Sequence, residues 1–254
     1  MYNLTLLLLT KNESLRLKEW GSWLNKIKAL NEIIVVDDYS TDDTKKITSS
    51  WANKKISVQF FTRSLDDDFS AQRNFGLSKA KNNWVLFLDA DEIPNPDMID
   101  YLNTITPQNN KCYSFKRHLI YFGKSIAHGQ ALDDKPIKLF NKKHGKFTGK
   151  VHEIWSSSCQ NIFTHTSLNH YSIDNLNTLL NKVNLYSSIR AQELFSQHHK
   201  TNLLEIIFYP LFKFTHLYFF KLGFLDGVPG LILSLTMSLH SFLNRAKLWH
   251  LSQE

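Results

Sequence analysis

The N-terminal part of the chain alternates short apolar runs with longer stretches in which apolar residues recur at helical spacing. Leu4–Leu9, Glu32–Val36 (EIIVV), Ile56–Phe61 and Trp84–Leu88 (WVLFL) are compact, largely uninterrupted hydrophobic segments. Segments of this length predict strands covered on both faces. Between them, Ser14–Leu30 places Leu15, Leu17, Trp20 and Leu24 at helical intervals, and Asp42–Trp51 and Ser70–Ala80 also predict helices. Strands alternating with helices imply right-handed crossovers and a sheet whose strands end along one edge, the edge where ligands of open α/β sheets bind.

From Cys112 to Tyr171 the texture changes: CYSFKRHLIYFG and PIKLFN read as less regular strands, and KFTGKVHEIW contains a glycine turn. The alternating runs before it argue for a parallel sheet buried on both faces. Asp174–Lys200 returns to helical spacing through Leu176, Leu179, Leu180, Val183 and Tyr186. The domain division expected is 1–172 and 173–254. Beyond it, IIFYPLFKFTHLYFFKLGFLDG and VPGLILSLTMSLHSFL are crowded with aromatics and leucine, with Lys213, His216, Lys221 and His240 interspersed. A bilayer span needs about 20 predominantly apolar residues; charge and Pro210 interrupt the first segment, and the second is short and carries His240. Two interfacial helices broken at Gly223–Gly230 and lying in the headgroup layer are expected, against the alternative of helices packed on the enzyme core.

Charge adds to this. A net charge of +7 in 254 residues favours anionic partners. Lys135, Lys138, Lys142, Lys143, Lys146 and Lys150 crowd one region; a solvated face accounts for them, and a docking surface for an anionic acceptor or lipid headgroups is the functional alternative. No nucleic-acid-binding motif accompanies the charge. Cys112 and Cys159 are too few for a disulfide framework and suit a reducing compartment. The apolar start lacks a basic leader and a small-residue cleavage site, so a cytosolic chain is expected.

Carboxylates gather where the predicted strands end. Asp37 and Asp38 follow EIIVV, Asp66, Asp67 and Asp68 follow the third strand, and Asp89, Asp91 and Glu92 follow WVLFL. Their mutual repulsion calls for a cation, and Mg²⁺ or Mn²⁺ held by oxygen ligands and phosphate oxygens would supply it.

Four motifs in order, TKNE (Thr10–Glu13), VVDDYSTDDT (Val35–Thr44), SAQRNFGL (Ser70–Leu77) and FLDADE (Phe87–Glu92), resemble the inverting family-2 glycosyltransferases. FNKKHGKFTGKVHE (Phe140–Glu153) resembles their WaaE/KdtX-like lipopolysaccharide-core branch, and the likeness spans about residues 3 to 171. It implies an α/β, Rossmann-like GT-A fold with a mixed sheet and helices on both faces, a UDP-hexose donor, a metal-dependent hexosyl transfer, and a lipopolysaccharide or other lipid-linked acceptor on the inner face of the bacterial cytoplasmic membrane. Glucose from UDP-glucose, moved to the inner core, is the most specific expectation. By resemblance, Asp91 holds the metal, Asp89 sits near ribose or metal, Asp37 or Asp38 meets the base, and Thr10 and Glu13 lie near base and ribose. Arg73 approaches the diphosphate or organises the acidic loop; for Glu13 and Arg73 a helix cap or surface ion pair is the competing reading. Glu153 is the expected general base, with His152 the alternative. His170 completes the metal's coordination or is a structural histidine.

Other readings fit less well. FLDADEI approximates the motif of haloacid-dehalogenase-type phosphatases, but Ile93 stands where Thr or Val belongs, and three strand–helix units precede Asp89. A sugar-nucleotide pyrophosphorylase needs a glycine-rich loop that LLLLTKNESLRL lacks. A membrane-associated nucleotide-sugar-binding scaffold without turnover is the non-enzyme alternative.

Overall fold

The computed structural model describes residues 2–66, 68–129, 134–149, 154–173 and 176–253. They form two compact units, one from residues up to Arg117 with Lys135–His170, the other from His118–Asp134 with Tyr171 onward.

In the first unit, β1 (Leu4–Thr10), β2 (Leu30–Asp37), β3 (Ser57–Thr62) and β4 (Trp84–Asp89) are parallel and lie in the order β3-β2-β1-β4. The remaining strands are β5 (Glu92–Pro94), β6 (Lys111–Tyr121), β7 (Lys124–Ile126), β8 (Ile137–Asn141), β9 (Gly145–Thr148), β10 (Ile154–Ser157) and β11 (Gln160–Ile173). The sheet continues from β4 as β8-β6-β11-β5, with β8 antiparallel to both β4 and β6, so it is mixed. Connections run outward from β1 to β3 and then return to β4, which puts the topological switch point between the carboxyl ends of β1 and β4.

The apolar runs of β1, β2 and β4 are buried on both faces because alternate residues point to opposite sides. By contrast β3, the last strand at its end of the sheet, is only half-buried with exposed ends, against the expectation for Ile56–Phe61. Leu4, Leu6 and Leu8 join Ile33, Val35, Leu86 and Leu88 on one face, under Trp20, Trp23 and Leu24 and under Met98 and Leu102 of the helix Pro96–Thr104. Leu7, Ile34, Val36, Val85 and Phe87 face the other way, toward Leu77, Phe147 and Trp155. Full burial of each such side chain contributes about 1.5–3 kcal/mol. The helix Phe69–Lys79 closes on this second face at Gly76, where any Cβ would collide with Leu7 and come within 3.1 Å of Val36.

One predicted helix is absent as such. Ser14–Leu30 forms two single turns, α1 (Ser14–Leu17) and α2 (Gly21–Leu24), and β2 already begins at Leu30. The buried residues Leu17, Trp20, Trp23 and Ile27 recur mostly every third position, and the backbone bonds Trp20→Leu17, Trp23→Trp20 and Lys26→Trp23 span three residues. Tight three-residue turns, with Trp20 stacked on Trp51, bury the tryptophans and leave Leu15 on the surface. The later helices of the first unit are α3 (Thr44–Ser49), α4 (Phe69–Lys79) and α5 (Pro96–Thr104).

The second unit is mainly helical: α6 (Leu176–Ser196), α7 (Leu203–Thr215) and α8 (Gly227–Leu251), with α6 and α7 packed on α8. Of the residues expected on the α6 stripe, Leu179 and Val183 are buried whereas Leu176, Leu180 and Tyr186 are exposed; Ser187 and Ala191 complete the buried line at four-residue steps. Lys247 crosses from α8 to cap this face, donating to the Asn184 carbonyl and side chain at 2.7 Å and to Ser187 and Ser188 at 2.9 and 2.7 Å.

The break between the last helices falls earlier than the sequence suggests. A π turn (His216–Phe220) and a 3-10 turn (Gly223–Asp226) separate them, and α8 takes in both Gly227 and Gly230. Gly230 stands so close to the Gly223 carbonyl that no side chain fits there. Asp226 fastens the turn by accepting from the amides of Ala127 and His128 at 3.2 and 2.9 Å and pairing with the His128 ring at 3.0 Å.

Candidate active site

Strand register collects the candidate residues. Thr10 is paired with Asp37 across β1 and β2, and Leu9 with Asp89 across β1 and β4, so three strands deliver Thr10, Asp37 and Asp89 to one edge. There Asp37 is buried: one carboxylate oxygen accepts from Thr10 Oγ1 at 2.7 Å and from the Ser40 hydroxyl, the other from the Ser40 amide at 2.7 Å. Asp38 keeps some exposure, pairing with Lys11 at 2.6 Å and accepting the Leu65 amide at 3.2 Å. Asn12 receives the Thr41 amide at 2.9 Å, which lays the loop after β2 against the loop after β1. Tyr39 stands exposed at this rim with φ +52°, a backbone region that disfavours bulky side chains.

Several acidic residues around the edge prove to be caps. Asp68 accepts the Ala71 amide at 2.8 Å and starts α4. Asp42 accepts the amides of Ser14 and Thr44, each at 3.0 Å; although burial pushes its pKa up, these bonds outweigh it and hold the carboxyl well below the usual range. Glu13 pairs with Arg16 at 3.1 Å, the ion-pair alternative anticipated for it. Asp67, Glu153 and His152 lie outside the described residues.

The carboxylates that follow β4 meet protein cations. Lys138, expected on a solvated face, is only 3% exposed; it pairs with the fully buried Glu92 and lies 3.3 Å from Asp89 Oδ2. Arg117 holds the other Glu92 oxygen at 3.2 Å, and Arg73 reaches Asp89 Oδ1 at 3.4 Å while its guanidinium stacks 4.2 Å from the Phe87 ring. Burial raises the Asp89 pKa, but Lys138, Arg73, His170 and Arg117 pull it down more strongly, to about 2. The repulsion expected at this turn is thus relieved at Asp89 and Glu92 by lysine and arginine. Asp91 differs: its Oδ2 stands 3.1 Å from His170 Nε2, brought there because β11 pairs His170 with Glu92.

Among the described residues no group of three metal-binding side chains occurs. The Asp91–His170 pair nevertheless suits a divalent cation that draws its other ligands from a diphosphate. Adjacent ligands of an octahedral ion with bonds of about 2.1 Å are about 3 Å apart, close to the observed spacing.

The sequence did not show the support Lys138 gives this turn or the contacts that the neighbours of Arg73 make. Lys138 was detectable only as a single charge inside the apolar run PIKLF. Asn74, next to Arg73, binds the Phe147 backbone in both directions at 2.9 Å, and Ser70 donates to the Gly149 carbonyl. The SAQRN segment therefore clasps the chain leading toward Glu153.

A mixed α/β sheet that gathers carboxylates, a histidine and an arginine beside its switch point defines a ligand-binding enzyme domain of the GT-A type. The sequence model of glycosyl transferase family 2 matches residues 6–146, more than half the chain, and the chain belongs to that family. An uncharacterized glycosyltransferase of Rickettsia typhi is 29% identical over 99% of this chain and 88% of its own length. The lipopolysaccharide core biosynthesis glycosyltransferase LpsC of Rhizobium meliloti is 23% identical over 90% of this chain and 86% of its own. Among solved structures, a mannosyltransferase from Pyrobaculum calidifontis, determined with GDP-Man and Mn²⁺, shares the fold with a TM-score of 0.57 at 14% identity, covering 98% of this chain and 88% of that one.

Proposed function

We propose that this glycosyltransferase moves a hexose from a nucleotide-activated donor, UDP-glucose in the most specific form, with inversion onto the inner core of bacterial lipopolysaccharide or lipooligosaccharide. The observation that carries the reading is the meeting of Asp89, Asp91, His170 and Arg73 at the carboxyl edge beside the β1–β4 switch point. The acceptor class draws support from the relationship to LpsC and from the resemblance of FNKKHGKFTGKVHE to core-directed enzymes.

Asp91 and His170 would hold Mg²⁺ or Mn²⁺, which stabilises the charge growing on the diphosphate as the glycosidic bond breaks. Arg73, stacked on Phe87 and tied to Asp89, stands ready to meet the same diphosphate from the side of α4. Thr10, Glu13, Asp37 and Asp38 belong to the nucleoside end, where Asp37 shapes the loop through Thr10 and Ser40. Glu153 accepts the proton of the attacking hydroxyl, with His152 its alternative.

The 1–172 segment is the catalytic region in this reading, and 173–254 attaches it to the membrane surface from the cytoplasmic side. Leu203, Leu204, Phe208, Phe212, Phe219 and Phe220 are all exposed, flanking Lys213 and Lys221. An apolar face with basic residues suits an anionic lipid interface. Leu203–Phe220 is also long and apolar enough, at mean hydropathy 1.3, to cross a bilayer by length and composition; Pro210 within α7 and the π turn after it favour lying in the interface.

The test is a donor screen of purified protein with Mg²⁺ and with Mn²⁺, using UDP-glucose, UDP-galactose and GDP-mannose against deep-rough lipopolysaccharide, with product mass and linkage determined. Transfer from UDP-glucose is expected. Transfer only from another donor would replace the glucose assignment, and absence of transfer to any core acceptor would remove the acceptor class.

A further inference from the structure

Glu92 and Lys138 have no part in the chemistry above, yet both are buried, one completely and the other to 3% exposure. Acidic and basic side chains leave water only when paired, and a buried pair is weak evidence for stability because desolvation offsets much of its attraction. A buried pair must also satisfy its remaining protons and lone pairs, and what matters is where these go. In this pair the Lys138 ammonium also lies 3.3 Å from Asp89 Oδ2, and Glu92 Oε2 accepts the Asp89 amide at 3.1 Å.

Asp89 is therefore gripped at its backbone and its side chain by the same two residues. Their placement follows from topology. β8 runs antiparallel to β4 with Leu139 opposite Leu86, which sets Lys138 beside the end of β4. Arg117 on β6 secures the far oxygen of Glu92, and β11 pairs His170 with Glu92. The turn that carries Asp89 and Asp91 is thus braced from three strands. With Glu92 neutralised internally and Asp89 held by Lys138 and Arg73, Asp91 beside His170 is left to face a ligand.

We infer that Lys138 is a positioning residue: its ammonium, shared between Glu92 and Asp89, fixes the Asp89–Glu92 turn in the shape that sets Asp91 beside His170 for the cation of the donor diphosphate. The identity of that ligand rests on the function proposed above; the bracing of the turn does not.

The experiment uses the full chain, the variant Lys138→Met, and the double variant Glu92→Gln/Lys138→Met. Lys138→Met leaves the buried Glu92 with Arg117 but without its lysine and is expected to lower stability. The double variant removes both charges while keeping an acceptor for the Asp89 amide, and is expected to fold. Hydrogen exchange is read without ligand over Trp84–Pro94, and UDP affinity by calorimetry with MnCl₂. In the folded double variant, the amides of Asp89–Glu92 should exchange about 10-fold faster or more, and UDP should bind about 10-fold more weakly or worse, the scale on which supporting residues around a metal site act.

Unchanged exchange, or unchanged UDP affinity in a folded variant, would overturn the assignment. Failure of both variants to fold would make the pair a folding element and overturn it equally. Should the parent protein bind neither UDP nor GDP with Mn²⁺, the donor reading fails, and the exchange rates alone then decide whether Lys138 braces the turn.

Discussion

Asp91 Oδ2 and His170 Nε2 lie 3.1 Å apart although 79 positions separate the residues. Asp91 comes from the turn between β4 and β5 and His170 from β11, and the spacing serves both a hydrogen bond and two adjacent ligands of one cation. Replacing Asp91 by Ala is expected to abolish the metal-dependent part of UDP binding, and His170→Ala to weaken it by about 10-fold or more. Calorimetry with and without MnCl₂ measures both. Affinity that stays metal-dependent in Asp91→Ala would remove that residue from the site.

Asp89 supplies a pH test with a definite sign. Its pKa in the folded protein is about 2, below the 3.8 of an unperturbed Asp. A carboxylate with a depressed folded pKa contributes stability above its unfolded pKa, and that contribution is lost as pH falls through the folded value. The stability advantage of the parent over Asp89→Asn should thus be full above about pH 4 and shrink toward about pH 2. Urea denaturation of both proteins across that range reads the difference. A gap that widens on acidification would mean that Asp89 is not held by its cations.

The strands and the clustering of Asp37, Asp38, Asp89 and Asp91 were legible because an apolar run ends abruptly in acid whatever the rest of the chain does. Where the segments are covered on both faces, as in β1, β2 and β4, pattern and structure agree. The region Ser14–Leu30 misled because its tryptophans fit a helical spacing loosely and a three-residue turn better, and only packing against Trp51 decides between them. The role of each carboxylate was hidden for a related reason. Asp68 caps a helix, Asp37 shapes a loop, and Asp89 is neutralised by Lys138, 49 positions away. Sequence shows where charge accumulates, and only tertiary structure shows which charges are already answered.

Gly76 marks the closest approach of α4 to the sheet. Gly76→Ala would drive a methyl group into Leu7 and against Val36, both fully buried. Overpacking of this kind costs about 1–3 kcal/mol, so the midpoint of thermal unfolding should drop measurably. A melting temperature equal to the parent's would mean that α4 can lift from β1 freely, and with it Arg73.

Glu153→Gln keeps the shape of the side chain and removes its basicity. Donor binding should persist while transfer falls by about 100-fold or more, as for loss of a general base. Rapid transfer by this variant would pass the assignment to His152, to be examined by His152→Ala in the same assay.

The outer face of α7 and the turn after it carries an opposite expectation, one of large effect without loss of fold. Phe212 and Phe220 are 65% and 74% exposed, so replacing both by Glu removes little packing. If these rings enter the headgroup layer, the double variant should no longer float with vesicles containing phosphatidylglycerol, whereas the parent does, because charge is disfavoured where aromatic side chains are welcome. Salt should weaken the parent's binding only in part, since Lys213 and Lys221 contribute the screened share and the rings the rest. Equal flotation of parent and variant, with both folded by circular dichroism, would leave this face without a role at the membrane.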